Sequence, residues 1–335
     1  MTGSRTFAVL PHGGTRFVCA TSDDRVEPLI PAPGDHDARY ALSEDGCRLA
    51  VLDRKATRAG LFALLPAAPW LSEILPMAPL PDGCTGHAIL PLHDTLLVGG
   101  HGPRHEALWQ RSLTTASWTA IGLPEDILQH GKAVDGLHLR GEDLIVVDDI
   151  VTPKWLLLYD VRTPSSLAHS RTIRLPHHTT YERIIDSCLG TSGLWCLSKG
   201  INHGVSSTHI WRLDTHTFQE LGHWSAQNGS RSFYRSVFDT PPGNEVVQAA
   251  QRQLLSCVSM IEANGQILLA CGPLGLGRLL TDHAKQGLTP VEALDTPTLA
   301  SVDAFVCPAP WDGRGVFLVG QDSNGKGSCV WWRTT

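Results

Sequence analysis

The chain has 335 residues, 42% of them hydrophobic, with 27 basic and 33 acidic residues and a formal net charge of −6. A chain this long buries most of the surface it would otherwise expose, so a folded globular protein is expected. It has no basic run to follow a phosphate backbone and no apolar stretch of roughly 18 residues to cross a bilayer, which argues against nucleic-acid and membrane roles.

The opening residues lead into Phe7-Ala8-Val9-Leu10-Pro11, too short an apolar run for a secretory leader. The cysteines at 19, 47, 84, 188, 196, 257, 271, 307 and 329 are odd in number and form no CxxC pair. Most fall inside apolar, strand-like runs, so a reducing cytoplasmic location is expected and Asn228-Gly229-Ser230 is read as a chance sequon.

Taken in chain order, the sequence repeats one unit: an apolar strand, a turn, a second apolar strand, then two more strands. Phe7–Ala20 reads as a first inner hairpin, and a weaker copy starts near Tyr40. His87–Leu90 and Thr95–Gly99 form the next, followed by Ala107–Gln110 and Trp118–Ile121. The clearest copy begins at Asp135, with strands at Gly136–Leu139, Leu144–Asp149, Trp155–Asp160 and Arg171–Pro176. Another uses Gly193–Ser198, His209–Asp214 and Phe218–Leu221, and weaker copies start near Val258 and Ala304.

The mean spacing is near the ~40–45 residues of a four-stranded propeller blade. A small sheet with two apolar faces cannot bury both alone, so such units stack around an axis. The expectation is an all-β chain forming one β-propeller domain over 1–335. It would have about seven blades, with six also allowed, and be closed by N- and C-terminal strands. A loop inserted around 225–255 interrupts the repeat, with a short helix at Asn244–Leu255.

Leu156–Pro176, reading LLLYDVRTPSSLAHSRTIRLP, resembles the LVIVD-type repeats of bacterial β-propellers, and His209–Gly222 is a looser echo. Asp135–Tyr159 also resembles the lone propeller components that accompany a MoxR-type ATPase and a von Willebrand A protein. The first likeness implies fold and no activity. The second implies a protein partner, an ATPase-containing complex, within a bacterial multiprotein system.

Propeller topology sorts the loops. With strands A to D running from axis to rim, the D–A and B–C connections share one face and the A–B and C–D turns the other. The second face carries polar turn formers such as Arg140-Gly141-Glu142-Asp143. The first gathers His130, Lys132, Asp149, Lys154, His178, Tyr181, Arg183, Lys199 and His203. The insertion adds Arg231, Tyr234 and Arg235, residue types common at interface hot spots. Function in a scaffold fold resides in such loops, so this face is expected to engage a protein partner or a small polar ligand without catalysis. On that reading, charge reversal at Lys154 and Arg183 weakens capture and leaves the melting temperature nearly unchanged.

The rival is an enzyme, a metal-assisted lyase or hydrolase using His101, His105, His130, His177, His178 and His203 near the axis. No HExxH or other fixed ligand spacing supports a metal, and none is assigned. Asp148 and Asp149 beside Lys154 could do acid–base work, but neighbouring strand residues point to opposite faces, so only one could serve. No GxSxG elbow is present. Gly272–Gly277 lacks nucleotide-loop spacing and reads as a turn, as does Asp322–Gly325, so no cofactor is expected.

Overall fold

The computed structural model describes residues 6–10, 16–20, 26–31, 38–43, 45–53, 57–65, 69–103, 106–124, 134–148, 154–162, 167–175, 182–202, 205–228, 245–281, 291–296, 298–306 and 315–333. Seven antiparallel sheets, each of consecutive strands, account for the strands described. The two at the ends of the chain have three strands: β1 (Thr6–Leu10), β2 (Arg16–Ala20) and β3 (Val26–Pro31), and β24 (Ser301–Val306), β25 (Gly315–Gln321) and β26 (Gly327–Arg333).

The five sheets between them have four strands each. They are β4 (Arg39–Leu42) to β7 (Leu71–Pro79), with β5 (Arg48–Asp53) and β6 (Arg58–Leu64), then β8 (Thr85–Leu92), β9 (Thr95–His101), β10 (Leu108–Ser112) and β11 (Trp118–Ala120). Next come β12 (Val134–Arg140), β13 (Asp143–Asp148), β14 (Trp155–Asp160) and β15 (Ala168–Arg174). The fourth is β16 (Glu182–Leu189), β17 (Leu194–Asn202), β18 (Val205–Leu213) and β19 (Glu220–Asn228). The fifth is β20 (Ser259–Ala263), β21 (Gln266–Ala270), β22 (Leu276–Leu279) and β23 (Val291–Leu294). The fold is an all-β propeller, as the repeat implies.

Burial follows position within a sheet. The second strands are covered on both faces: Leu49–Leu52, Leu144–Val147 and Ile267–Ala270 are buried throughout, which explains their unbroken apolar runs. Fourth strands such as Ala168–Arg174 are largely exposed and polar. Each fully covered Leu, Ile or Val contributes about 1.5–3 kcal/mol relative to exposure.

Contacts group the chain into two compact units, Met1–Leu175 with Cys307–Asp312, and Pro176–Val306 with Gly313–Thr335. In the first, β4–β7 packs on β8–β11 through Leu52, Leu61, Leu75, Ile89, Val98 and Trp109. The next pair of sheets meets through Leu97, Leu108, Leu144, Val146, Leu157 and Tyr159. Arg111 locks the first junction, its guanidinium donating to the carbonyl oxygens of Pro76 at 2.7 Å and Ala59 at 3.3 Å.

In the second unit, helix α1 (Glu245–Ser256) lies where the insertion was expected, one residue from the anticipated Asn244–Leu255. Leu254 and Cys257 join Trp195, Trp224, Leu269 and Val291 between β16–β19 and β20–β23. Strand β19 continues through Ser225–Asn228, so residues 225–228 belong to the sheet. The strand anticipated at Phe218 starts at Glu220 instead. The Asp214 carboxylate accepts the backbone N–H groups of His216 (2.9 Å) and Thr217 (2.6 Å), and the turn this forms carries Phe218 at φ 57°.

Cys84, Cys196, Cys257 and Cys271 are buried, as small hydrophobes would be. Burial pushes the Cys257 thiol well above its usual range, and Cys188 likewise. Among the described residues, no helix is long and apolar enough to cross a membrane.

Candidate functional site

Four of the seven inner strands share an irregularity that the alternation of the sequence does not reveal. In β8 the pairing with β9 steps from Gly86↔Gly100 to Ala88↔Gly99, leaving His87 as an extra residue. The step recurs in β12 between Val134 and Gly136, in β16 between Ile184 and Asp186, and in β24 between Val302 and Ala304. His87, Asp135, Ile185 and Asp303 therefore occupy the same bulge in four sheets, near the strand start that follows each D–A connection. A bulge re-aims one side chain and ends regular pairing, and bulges are frequent beside active sites. Close backbone approach accompanies two of them. A Cβ at Gly100 would lie 1.9 Å from the Thr85 carbonyl oxygen, and one at Gly320 would lie 1.8 Å from that of Ser301. Only glycine fits there.

In the Met1–Leu175 unit two bulged residues meet across neighbouring sheets. His87 Nδ1 lies 2.8 Å from Asp135 Oδ1, and His87 Nε2 lies 3.0 Å from Nδ1 of His101, at the end of β9. The two rings are 5.1 Å apart at their centroids and tilted by 55°. The His87 and Asp135 side chains are only 13% and 18% exposed, whereas His101 is exposed. His138 lies three residues further along β12 than Asp135. Part of that residue's surface is open, yet the protein around its ring still desolvates it, lowering its pKa to about 4 and leaving it neutral at neutral pH.

With both rings neutral, hydrogen-bond polarity fixes the protons. A carboxylate only accepts, so His87 carries its proton on Nδ1 and, while neutral, presents Nε2 as an acceptor. The facing His101 Nδ1 must then be the donor, which leaves the His101 Nε2 lone pair as an acceptor with no hydrogen-bond partner among the described residues. The array can hold a donor-bearing ligand on an oriented imidazole at the loop-bearing end of the sheets.

The Pro176–Val306 unit uses the same positions differently. Asp186, one residue past its bulge, accepts from Ser259 Oγ at 2.7 Å and Met260 N at 2.8 Å, tying β16 to β20. Ile185, Ile201, Val258 and Leu274 are all more than a third exposed and lie at strand starts or B–C ends of the same sheets. Gly272–Gly275 is the tight turn expected, held by Gly275 N donating to the Gly272 carbonyl at 3.0 Å.

Of the residues expected on this face, His130, Lys132, Asp149, His178, Tyr181, His203, Arg231, Tyr234 and Arg235 lie outside the described residues. So do His105 and His177. Arg183 is exposed at the start of β16. Lys154 and Lys199 are covered to different degrees. Lys154 is fully buried at the start of β14, its backbone carbonyl accepting from Leu175 N at 2.8 Å. Lys199 is partly buried, and its Nζ donates to the Leu255 carbonyl at 3.0 Å. It caps the C-terminal end of α1, where a cation offsets the unpaired carbonyls. Burial draws its pKa below the ordinary lysine value. Among the described residues, no group of three or more His, Cys, Asp or Glu is placed to hold a metal.

No family model matches the chain, and no curated protein matches it. Solved structures do. Virginiamycin B lyase from Staphylococcus aureus superposes with a TM-score of 0.55 at 11% identity, covering 97% of this chain and 89% of the lyase chain. Kuenenia stuttgartiensis hydrazine synthase gives 0.58 at 11% identity over 96% and 89% of the two chains. A putative 6-phosphogluconolactonase from Bacteroides fragilis gives 0.56 at 10% identity over 100% and 96%. The likeness is one of fold. At such identities it carries no chemistry from these proteins to this one.

Proposed function

We propose that the protein is a binding propeller that works through its D–A/B–C loop face and anchors a small polar ligand on His101. The observation supporting this is the Asp135–His87–His101 array, in which two shielded groups orient one exposed hydrogen-bond acceptor. A surface histidine needs no such support to be soluble. The test is NMR of histidine-labelled protein against a panel of hydroxyl- and amide-bearing fragments. At least one fragment is expected to shift the His101 ring resonances and to lose binding in His101→Ala at an unchanged melting temperature. A panel that leaves His101 untouched would sink the reading.

A second reading, a protein-interaction module, is favoured by the exposed aliphatic side chains of the other unit. Ile201 is 66% exposed and Leu274 48%. Taken with the likeness of Asp135–Tyr159, the partner would be the ATPase-containing complex of a cytoplasmic bacterial system. Capture of a purified MoxR-type ATPase and von Willebrand A protein from the same genome, measured by interferometry, should weaken at least tenfold in Ile201→Asp. Equal capture by both forms excludes Ile201 from the contact.

A further inference from the structure

The array has a property that passive binding does not use: its outward nitrogen changes sign. With both rings neutral, the protons sit on His87 Nδ1 and His101 Nδ1, and His101 Nε2 is an acceptor. Add one proton and either ring can carry the charge. If His101 carries it, Nε2 gains a hydrogen directly. If His87 carries it, His87 Nε2–H donates to His101 Nδ1, and the remaining proton of His101 resides on Nε2. Either way the exposed atom becomes a donor, and the charge is spread over two rings backed by the Asp135 carboxylate. An imidazole oriented through its other nitrogen by a carboxylate-held partner is the arrangement by which enzymes make a general base.

We infer that His101 Nε2 is a general base and that the protein hydrolyses carboxylic esters at this position. The inference rests on the binding reading above, since the ester must be held against the same atom. Ester hydrolysis fits because it needs a proton taken and returned at one place. His101 Nε2 removes a proton from water while the water oxygen forms a bond to the acyl carbon. The carbonyl electron pair moves to oxygen, giving a tetrahedral species. That species collapses by re-forming the carbonyl and breaking the bond to the leaving oxygen, which takes the proton from His101 Nε2–H. Carboxylic acid and alcohol result, and the array returns to its starting protonation. His101 is the catalytic residue, and His87 and Asp135 are positioning residues.

The geometry makes a spectroscopic demand too. A neutral histidine in water favours the Nε2–H tautomer, but this array requires Nδ1–H at both rings. Long-range nitrogen–proton NMR of the labelled protein reads the tautomer at each ring. Hydrolysis of p-nitrophenyl acetate, corrected for the buffer rate, reads the base.

The wild type is expected to show His87 and His101 as Nδ1–H. His101→Ala should lose at least tenfold of the protein-dependent rate while keeping the wild-type melting temperature. Asp135→Asn should return His87 toward Nε2–H and lower the rate with His101 still in place, an outcome that a purely architectural role for Asp135 would not produce. A His101→Ala rate equal to wild type, or His101 found as Nε2–H, overturns the inference. If fragments bind at His101 and the two rates are nevertheless equal, the base fails while the binding reading stands. If neither fragments nor the ester depend on His101, both fail.

Discussion

Glu262→Ala should destabilise the protein by about 2–4 kcal/mol, measured as a lower urea midpoint, although Glu262 is only partly buried in the inner strand β20. Its carboxylate reaches into the neighbouring sheet and gathers the turn between β16 and β17. Oε1 accepts from Thr191 Oγ1 at 2.6 Å and Ser192 N at 3.0 Å. Oε2 accepts from Ser192 Oγ at 2.6 Å and from the Trp195 indole at 2.9 Å. Gly190 permits the approach, since a Cβ there would lie 2.1 Å from Glu262 Oε2.

Charge-assisted bonds to one carboxylate are each stronger than neutral ones, and removing it strands several donors together. Trp195 makes the loss costly because the residue is 1% exposed and its indole N–H also reaches Ser192 Oγ, itself a Glu262 partner. Glu262→Gln should recover roughly half of the loss, because one oxygen still accepts while the amide nitrogen faces donors. The Trp195 indole proton should move in both variants. A midpoint within error of wild type for Glu262→Ala would mean water replaces the carboxylate without penalty, and this clip between sheets would then contribute nothing.

The propeller was legible because its evidence is repeated. Each blade carries its own unbroken apolar second strand, and seven weak copies of one pattern reinforce each other. The array was not legible because a bulge is a single extra residue, which period-two reading absorbs as noise. In sequence, His87 and Asp135 are only the first residues of apolar hairpins. The signal was nonetheless in the text: Gly86-His87-Ala88-Ile89, Val134-Asp135-Gly136-Leu137 and Val302-Asp303-Ala304-Phe305 each put a polar side chain just ahead of an apolar alternation. These positions stack when the repeats are aligned by strand start. His101 was noticed as one of many histidines. What distinguishes it is a partner fourteen residues earlier, and that becomes visible only once β8 and β9 are paired. The partner of Lys199 is not legible in sequence either, because its acceptor is the end of a helix that the chain reaches more than fifty residues later.

Lys154→Glu should be the more damaging charge change, at about 3–5 kcal/mol, where loop position alone suggests a neutral surface swap. The Lys154 side chain is fully buried, among the largest in the protein with no exposed surface. A lysine stem can be covered while its ammonium is satisfied internally, and Lys154 does have an interaction partner. Reversing the charge places a carboxylate in a fully buried site, where desolvation opposes it. Lys154→Met separates the two costs. It keeps the volume and removes the charge, so it should lose less than the glutamate variant, by an amount that reports the cost of the buried carboxylate. Arg183→Glu is the internal comparison, because Arg183 is exposed and a surface change of this kind stays within about 0.5 kcal/mol. Urea unfolding of the three variants should therefore rank Lys154→Glu lowest, Lys154→Met next and Arg183→Glu near wild type. If Lys154→Glu unfolds with Arg183→Glu, the ammonium reaches water in solution and Lys154 returns to the set of residues a ligand could touch.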